Sequence, residues 1–246
     1  MHQITIKYTR CFLPFKIKRQ LPSCWAEVTK SQLVNAITYL LEGNQSGVLC
    51  EFAHISPATL KHVKPEEVFE LVKLIEFTKK PPTYFYIQKI KSRIAPKATL
   101  ENMSIGQLAN CDAYFLAFIN EQKEETLNKL IAGIYMLKLM ISKKRVWLQE
   151  LSTETYFLRH LTYAEKLSIF FCYKGAREGL ISQFPKVFKR EEETTEEQVQ
   201  PMTQAINPLH LFELIETLSK TGQYGNYEAT FKTEAQLIFF NMQISK

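Results

Sequence analysis

The chain has 246 residues, of which 46% are hydrophobic and 12% aromatic, and its formal net charge is +6. This content is sufficient for a substantial core and excludes a disordered chain, because disordered chains lack the apolar surface that offsets chain entropy. Ordinary numbers of glycine and proline exclude a collagen-like or low-complexity chain. The length fits one large domain or two small ones.

The lengths of the apolar runs and the spacing of the cysteines indicate in which environment the protein folds. No uncharged run approaches the ~20 residues of a membrane-spanning helix. The richest candidate, residues 127–141, is interrupted by Lys129 and Lys138. We therefore expect no membrane partner. The five cysteines are odd in number and form no C-x-x-C pair, which is typical of free thiols in a reducing cytosol.

Hydrophobic periodicity predicts a mainly α protein, a single helical domain of about seven helices with two or three short strands in protruding arms. Residues 2–8 alternate polar and apolar side chains, which predicts a strand, and residues 10–21 are predicted to be a basic, aromatic connector. Thr29 and Gln32 form a capping-box pattern that opens the first helix, and Gly43 closes it.

The middle of the chain is less regular. Residues 44–63 show no clear period, and Pro65 then occupies the first position of the next predicted helix. Residues 83–87 favour a short strand because they are rich in aromatic side chains. The basic residues that follow, up to Lys97, indicate a loop or hairpin arm.

The second half is predicted to be helical. Residues 124–141 carry the strongest helical period and are apolar around much of their girth, so we expect them to form the central core helix. The remaining predicted helices are opened by Ser104, by Thr162 and by Asn207, and a last helix covers about 233–242.

These elements predict four parts. Residues 1–20 are an N-terminal strand and basic arm, and residues 21–190 are a helical core that carries a second arm at 83–97. An acidic mobile loop follows at 191–201, because this stretch has no apolar period. Residues 202–246 form a C-terminal helical hairpin.

Charge is distributed unevenly. Residues 1–20 carry five cations and no acid, residues 79–97 carry six cations and no acid, and five glutamates lie between 191 and 197. This pattern is consistent with an acidic or polyanionic neighbour, or with an ordinary solvated basic face.

The two basic arms interleave cations with aromatic rings, which suits phosphate contact and base stacking. Aromatics that anchor the arms to the core are the simpler alternative. The candidate residues facing DNA phosphates are Lys16, Lys18, Arg19, Lys89, Lys91 and Arg93. The candidate subunit contacts are Tyr84, Phe85, Tyr86, Glu191, Glu192 and Glu193.

Catalytic motifs are absent from the sequence. It contains no phosphate-binding loop, dinucleotide fingerprint, H-E-x-x-H or G-x-S-x-G. Cys50 and His54 have the spacing of a nucleophile and base, and His54 and His62 flank a proline-containing turn where they could share a metal. Each pair lacks the further groups that such a site needs. We therefore expect neither enzymatic activity nor a cofactor or metal.

Three groups of motifs carry a resemblance to a known family. They are Pro22-x-x-Trp25-x-x-x-Thr29-x-x-Gln32; Ser104-Ile105-Gly106-Gln107 with Ile131-Ala132-Gly133-Ile134-Tyr135; and Phe170-Phe171-Cys172-Tyr173-Lys174-Gly175-Ala176-Arg177 with Phe184-Pro185-x-x-Phe188 and Gly222-x-Tyr224-Gly225-x-Tyr227-Glu228. Across about residues 21–246, the chain resembles virion-region proteins of Bacteroidetes phages and prophages, in particular head–tail connector (ring) proteins of crAss-like phages.

This resemblance implies a structural virion protein that assembles with copies of itself into a ring on the portal. Its implied partners are the portal, other connector or tail proteins, and packaged DNA through backbone contact. It carries over no catalytic residue. Two alternatives stay open, a tail-assembly chaperone or cargo protein and a basic nucleic-acid-binding protein.

Overall fold

A computed structural model describes residues 1–10, 13–135, 154–188 and 208–244. Within these residues the fold is mainly α-helical, which confirms the predicted class, and two small antiparallel sheets accompany eleven α-helices. The helices are α1 (Lys30–Glu42), α2 (Gln45–Ala53), α3 (Pro57–Leu60), α4 (Pro65–Lys73), α5 (Ile105–Glu121), α6 (Glu124–Ile134), α7 (Tyr163–Gln183), α8 (Pro185–Phe188), α9 (Pro208–Thr221), α10 (Tyr227–Lys232) and α11 (Ala235–Ile244). The strands are β1 (His2–Arg10), β2 (Leu13–Leu21), β3 (Lys89–Ile90) and β4 (Arg93–Ile94).

Chain contacts divide the protein into two compact units. Unit 1 comprises Met1–Pro82 and Thr162–Gly175, and unit 2 comprises Thr83–Leu161 and Ala176–Lys246. Helix α7 therefore contributes residues to both units. The two basic arms belong to different units, since β1 and β2 lie in unit 1 whereas β3 and β4 lie in unit 2.

Unit 1 is organised around the indole of Trp25. Its Nε1 donates to the carbonyl oxygen of Lys80 at 2.8 Å. The ring meets Phe52, Phe77 and Phe171 edge-on, at centroid distances of 6.5, 5.3 and 5.9 Å. Edge-to-face contacts of this kind stabilise aromatic clusters beyond the area that they bury.

The predicted capping boxes at Thr29 and Thr162 are both present. The Gln32 N–H donates to Thr29 Oγ1 and the Thr29 N–H donates to Gln32 Oε1. Thr162 and Glu165 make the same reciprocal pair. Gly43 closes α1 with φ +71°, as predicted, because glycine enters the left-handed region without steric cost.

Unit 2 is built on α5, which contacts α6, α9, α10 and α11. Its core contains a buried ion pair in which the Arg177 guanidinium donates to both carboxylate oxygens of Asp112, with Nη2 at 3.1 Å from Oδ2. Burial raises the pKa of Asp112, and the Arg177 charge opposes that rise. Gln107 Nε2 donates to the carbonyl of Gly133 at 2.8 Å, which ties α5 to α6.

Several sequence predictions are corrected by the structure. The predicted connector at 10–21 is wrong, because residues 13–21 form β2, paired antiparallel with β1 along its whole length. The irregular segment 44–63 contains α2 and α3. Residues 83–87 are not a strand, and the short hairpin of this arm is β3–β4 instead.

The C-terminal region contains more than the two helices predicted there. Helix α10 lies between α9 and α11, and all three contact α5. The loop at 191–201, Asn207 and residues 136–141 of the predicted central helix lie outside the described residues.

Candidate functional site: the N-terminal hairpin

The N-terminal hairpin, β1 with β2, has two chemically different faces. Residues alternate between faces along a strand, and the register pairs Ile6 with Ile17 and Lys7 with Lys16. Its apolar face carries Ile4, Ile6, Tyr8, Phe15 and Ile17, with Arg19 opposite Ile4. Its polar face carries Gln3, Thr5, Lys7, Lys16, Lys18 and Gln20.

Burial on the apolar face decreases toward the far end of the hairpin. Ile6 is 1% exposed, whereas Phe15 is 42% exposed and Leu13 is 60% exposed. Tyr8 and Phe15 stack on each other with ring centroids 5.4 Å apart. The base of this face is thus part of the unit 1 core. The exposed Leu13 and Phe15, together with the half-buried Tyr8, form an apolar tip, which we call the hairpin tip.

The polar face concentrates positive charge. Lys7 and Lys16 are directly opposite each other, and Lys18 follows Lys16 on the same face. All three are exposed, and none forms an ion pair with any residue that the structure describes. Like charges placed opposite each other on a sheet are destabilising, so folding alone does not account for this arrangement.

The base of the hairpin is fastened by Glu27. Its carboxylate accepts hydrogen bonds from the Met1 ammonium and from Ser23, whose N–H and Oγ lie 2.7 and 2.8 Å away. These interactions, the Met1 ammonium first, lower the pKa of Glu27 to about 2. A charged clasp therefore joins the start of β1 to the segment that follows β2.

An open groove of about 740 Å³ lies beside the hairpin in unit 1. Its walls include Lys18, Arg19 and His54 together with the amides of Gln3, Gln20 and Gln32. No aspartate or glutamate is among its lining residues. The groove extends the cationic surface of the polar face and suits an anionic ligand.

The second basic arm is used differently from the first. Phe85 is 1% exposed and meets Tyr135 edge-on, so its side chain belongs to the core and is not available as the predicted subunit contact. Tyr84 and Tyr86 are half-buried, with their hydroxyl oxygens 3.2 Å apart. These aromatic rings therefore serve the fold of unit 2.

Two cations of this arm, Arg93 and Lys91, have partners within unit 2. The Arg93 guanidinium lies 4.1 Å from the ring centroid of Phe157 and donates to the carbonyl of Tyr135 at 3.4 Å. Lys91 lies 5.3 Å from the ring of Tyr156, and Lys89 is exposed. Of the six predicted phosphate-facing residues, Lys16, Lys18 and Arg19 therefore lie on one ribbon, whereas the other three belong to the other unit.

A second exposed apolar surface was not predicted from the sequence. Leu237, Phe240 and Ile244 lie on one side of α11 and are 50%, 56% and 68% exposed. Ala235, Ile238 and Phe239, on the other side, are buried. A helix with apolar residues on all sides is normally buried on all sides, so the exposure of one side of α11 is unusual. The apolar residues on both sides of this helix are visible in the sequence. We call these three exposed residues the α11 stripe.

The two sequence-based alternatives for chemistry find no support in the described residues. Cys50 is buried, and desolvation raises the pKa of its thiol, which disfavours the nucleophilic thiolate. His54 is exposed. Across the described ranges no three His, Cys, Asp or Glu side chains group as metal ligands, and no helix there is long and apolar enough to cross a membrane.

Several residues of the motifs that carry the sequence resemblance are packing residues, whereas the segment that contains Gly222, Tyr227 and Glu228 is exposed. Gly133 faces Cys111 Sγ, Gly175 lies against the Pro81–Pro82 backbone, and Arg177 holds Asp112. Glu191, Glu192 and Glu193, the remaining predicted contacts, lie outside the described residues. No family model, curated protein or solved structure matches this chain.

Proposed function

We propose that the chain is a non-enzymatic assembly subunit that associates head to tail with further copies of itself. The observation that carries this proposal is the presence of two exposed apolar surfaces, the hairpin tip in unit 1 and the α11 stripe in unit 2. Soluble monomeric proteins rarely expose large contiguous apolar patches, and such patches commonly mark surfaces that bind another protein.

Two different patches on one chain favour a heterologous contact over a symmetric one. When the tip of one copy packs on the α11 stripe of the next, the pair still has one free tip and one free stripe. Further copies can therefore add, and the assembly closes into a ring if the rotation allows. The lysines of the hairpin disfavour pairing along its strand edges, so we expect contact through the apolar tip. A head–tail connector ring on a phage portal, as the sequence resemblance implies, is the form of this function that we propose.

Size-exclusion chromatography coupled to light scattering tests the proposal with two complementary variants. Leu13→Ser/Phe15→Ser removes the tip, and Leu237→Ser/Phe240→Ser removes the stripe. We expect wild-type chain to form a defined oligomer and each variant alone to be monomeric. The equimolar mixture should give a dimer, because one intact tip meets one intact stripe.

Phe69→Ser is the matched control, since Phe69 is an exposed aromatic residue (61%) of unit 1 outside both patches. It should leave the oligomer unchanged. A wild-type chain that stays monomeric at high concentration and in the presence of a portal protein would contradict the proposal. Variants that remain oligomeric would contradict it equally.

A further inference from the structure

We propose that the polar face of the N-terminal hairpin binds duplex DNA by its phosphates, with Lys7, Lys16 and Lys18 as the contacting residues. The assembly function uses the opposite, apolar face. The two proposals therefore rest on different side chains of one ribbon, and each can fail without the other.

The charge arrangement is the first argument. Three exposed lysines share one face, two of them directly opposite each other, with no ion pair inside the described chain. The first acid in the sequence is Glu27, whose carboxylate is already occupied by the Met1 ammonium and Ser23. A polyanion relieves this repulsion, and the release of its counterions supplies binding free energy.

The shape of the ribbon is the second argument. Neighbouring strands lie ~4.8 Å apart, and the major groove of B-DNA, about 12 Å wide, admits a two-stranded ribbon. The major groove of A-form RNA is too deep and narrow for this. Gln3, Thr5 and Gln20 flank the lysines on the same face and add neutral hydrogen-bonding groups.

The groove beside the hairpin is the third argument. It continues from Lys18 to Arg19 and His54 without any lining carboxylate, over a volume of about 740 Å³. A phosphate backbone that follows the ribbon thus meets no carboxylate among the residues that line this groove. In the second basic arm, by contrast, Arg93 packs on Phe157, Lys91 lies near Tyr156 and Lys97 pairs with Glu101.

Fluorescence anisotropy with a labelled DNA duplex of mixed sequence tests this inference. We expect the full chain to bind, and Lys7→Gln/Lys16→Gln/Lys18→Gln to bind more than about tenfold more weakly. The dependence of log K on log salt should become shallower by about 2.7, at ~0.9 for each lost phosphate contact. An RNA duplex of the same length should bind more weakly than DNA.

The control variant, Lys89→Gln/Lys91→Gln/Lys97→Gln, removes the same charge from exposed residues of the second arm. It should retain the wild-type affinity and salt slope. Equal weakening by both triple variants would overturn the inference, as would an absence of DNA binding by wild-type chain at low salt. If a polyglutamate peptide bound as tightly as DNA of equal charge, the inference of a DNA ligand would be overturned in favour of an acidic protein surface.

Lysine acetylation on the wild-type chain gives a second measurement that needs no variant. DNA should protect Lys7, Lys16 and Lys18 and leave Lys89 reactive; the reverse pattern would overturn the inference. The tip variant Leu13→Ser/Phe15→Ser should still bind DNA as a monomer. That result separates a failure of the polar face from a failure of the assembly proposal.

Discussion

The two basic arms have similar composition but different structural roles. Both combine lysine and arginine with aromatic side chains and lack acids. In the second arm, Phe85 is buried and Arg93 packs on Phe157. In the first arm, Phe15 is exposed and Lys16 has no ion-pair partner among the described residues. Composition alone therefore does not identify a binding surface, whereas the partners of each side chain do.

The largest expected difference in the free energy of unfolding is between substitutions of aromatic residues in the two arms. Phe85→Ala should lower the free energy of unfolding by about 3–5 kcal/mol, because it removes a buried ring and leaves a cavity. Phe15→Ala should lower it by no more than about 1 kcal/mol, because this exposed ring loses only its stacking on Tyr8. Urea denaturation followed by circular dichroism measures both, and equal losses would break the comparison.

A smaller effect separates the cations. Arg93→Ala should cost about 1–2 kcal/mol, since it removes a contact with the Phe157 ring and a hydrogen bond to the Tyr135 carbonyl. Arg19→Ala, on the exposed first hairpin, is the matched control and should be nearly neutral. If Arg19→Ala lowered the free energy of unfolding more than Arg93→Ala, the cations of the first arm would be the ones that stabilise the fold.

The smallest expected effect concerns the clasp at the base of the first arm. The folded-state pKa of Glu27, about 2, lies below its ordinary value of 4.5, so the stabilisation is complete above about pH 4.5 and is lost as pH falls toward 2. Glu27→Gln should therefore lower the urea midpoint at pH 7, and the difference from wild type should shrink in acid. A difference that does not depend on pH would show that Glu27 acts without its charge.

Local signals predicted much of the fold. Thr29 with Gln32 and Thr162 with Glu165 cap helices as expected, because a capping box depends only on residues three apart. The charge of residues 15–18 favours a connector over strand β2, although these residues alternate with the period of a strand.

The candidate site was only partly predictable. Lys16, Lys18 and Arg19 were identified from charge, but Lys7 became part of the face only through the pairing register of β1 with β2. The burial of Phe85 depends on Tyr135, fifty residues further along the chain, and no local pattern reports such a contact. The boundary between the two units after Pro82 likewise depends on contacts between residues far apart in the chain.

Photocrosslinking tests the central claim, that the hairpin tip is a surface for association, most directly. A benzoylphenylalanine residue replaces Phe15 in one sample and Phe69, the exposed aromatic control, in another. After irradiation, we predict covalent links between copies from position 15, mapped by mass spectrometry to peptides that contain the α11 stripe, and no such links from position 69. Equal crosslinking from both positions, or none from position 15, would contradict the account.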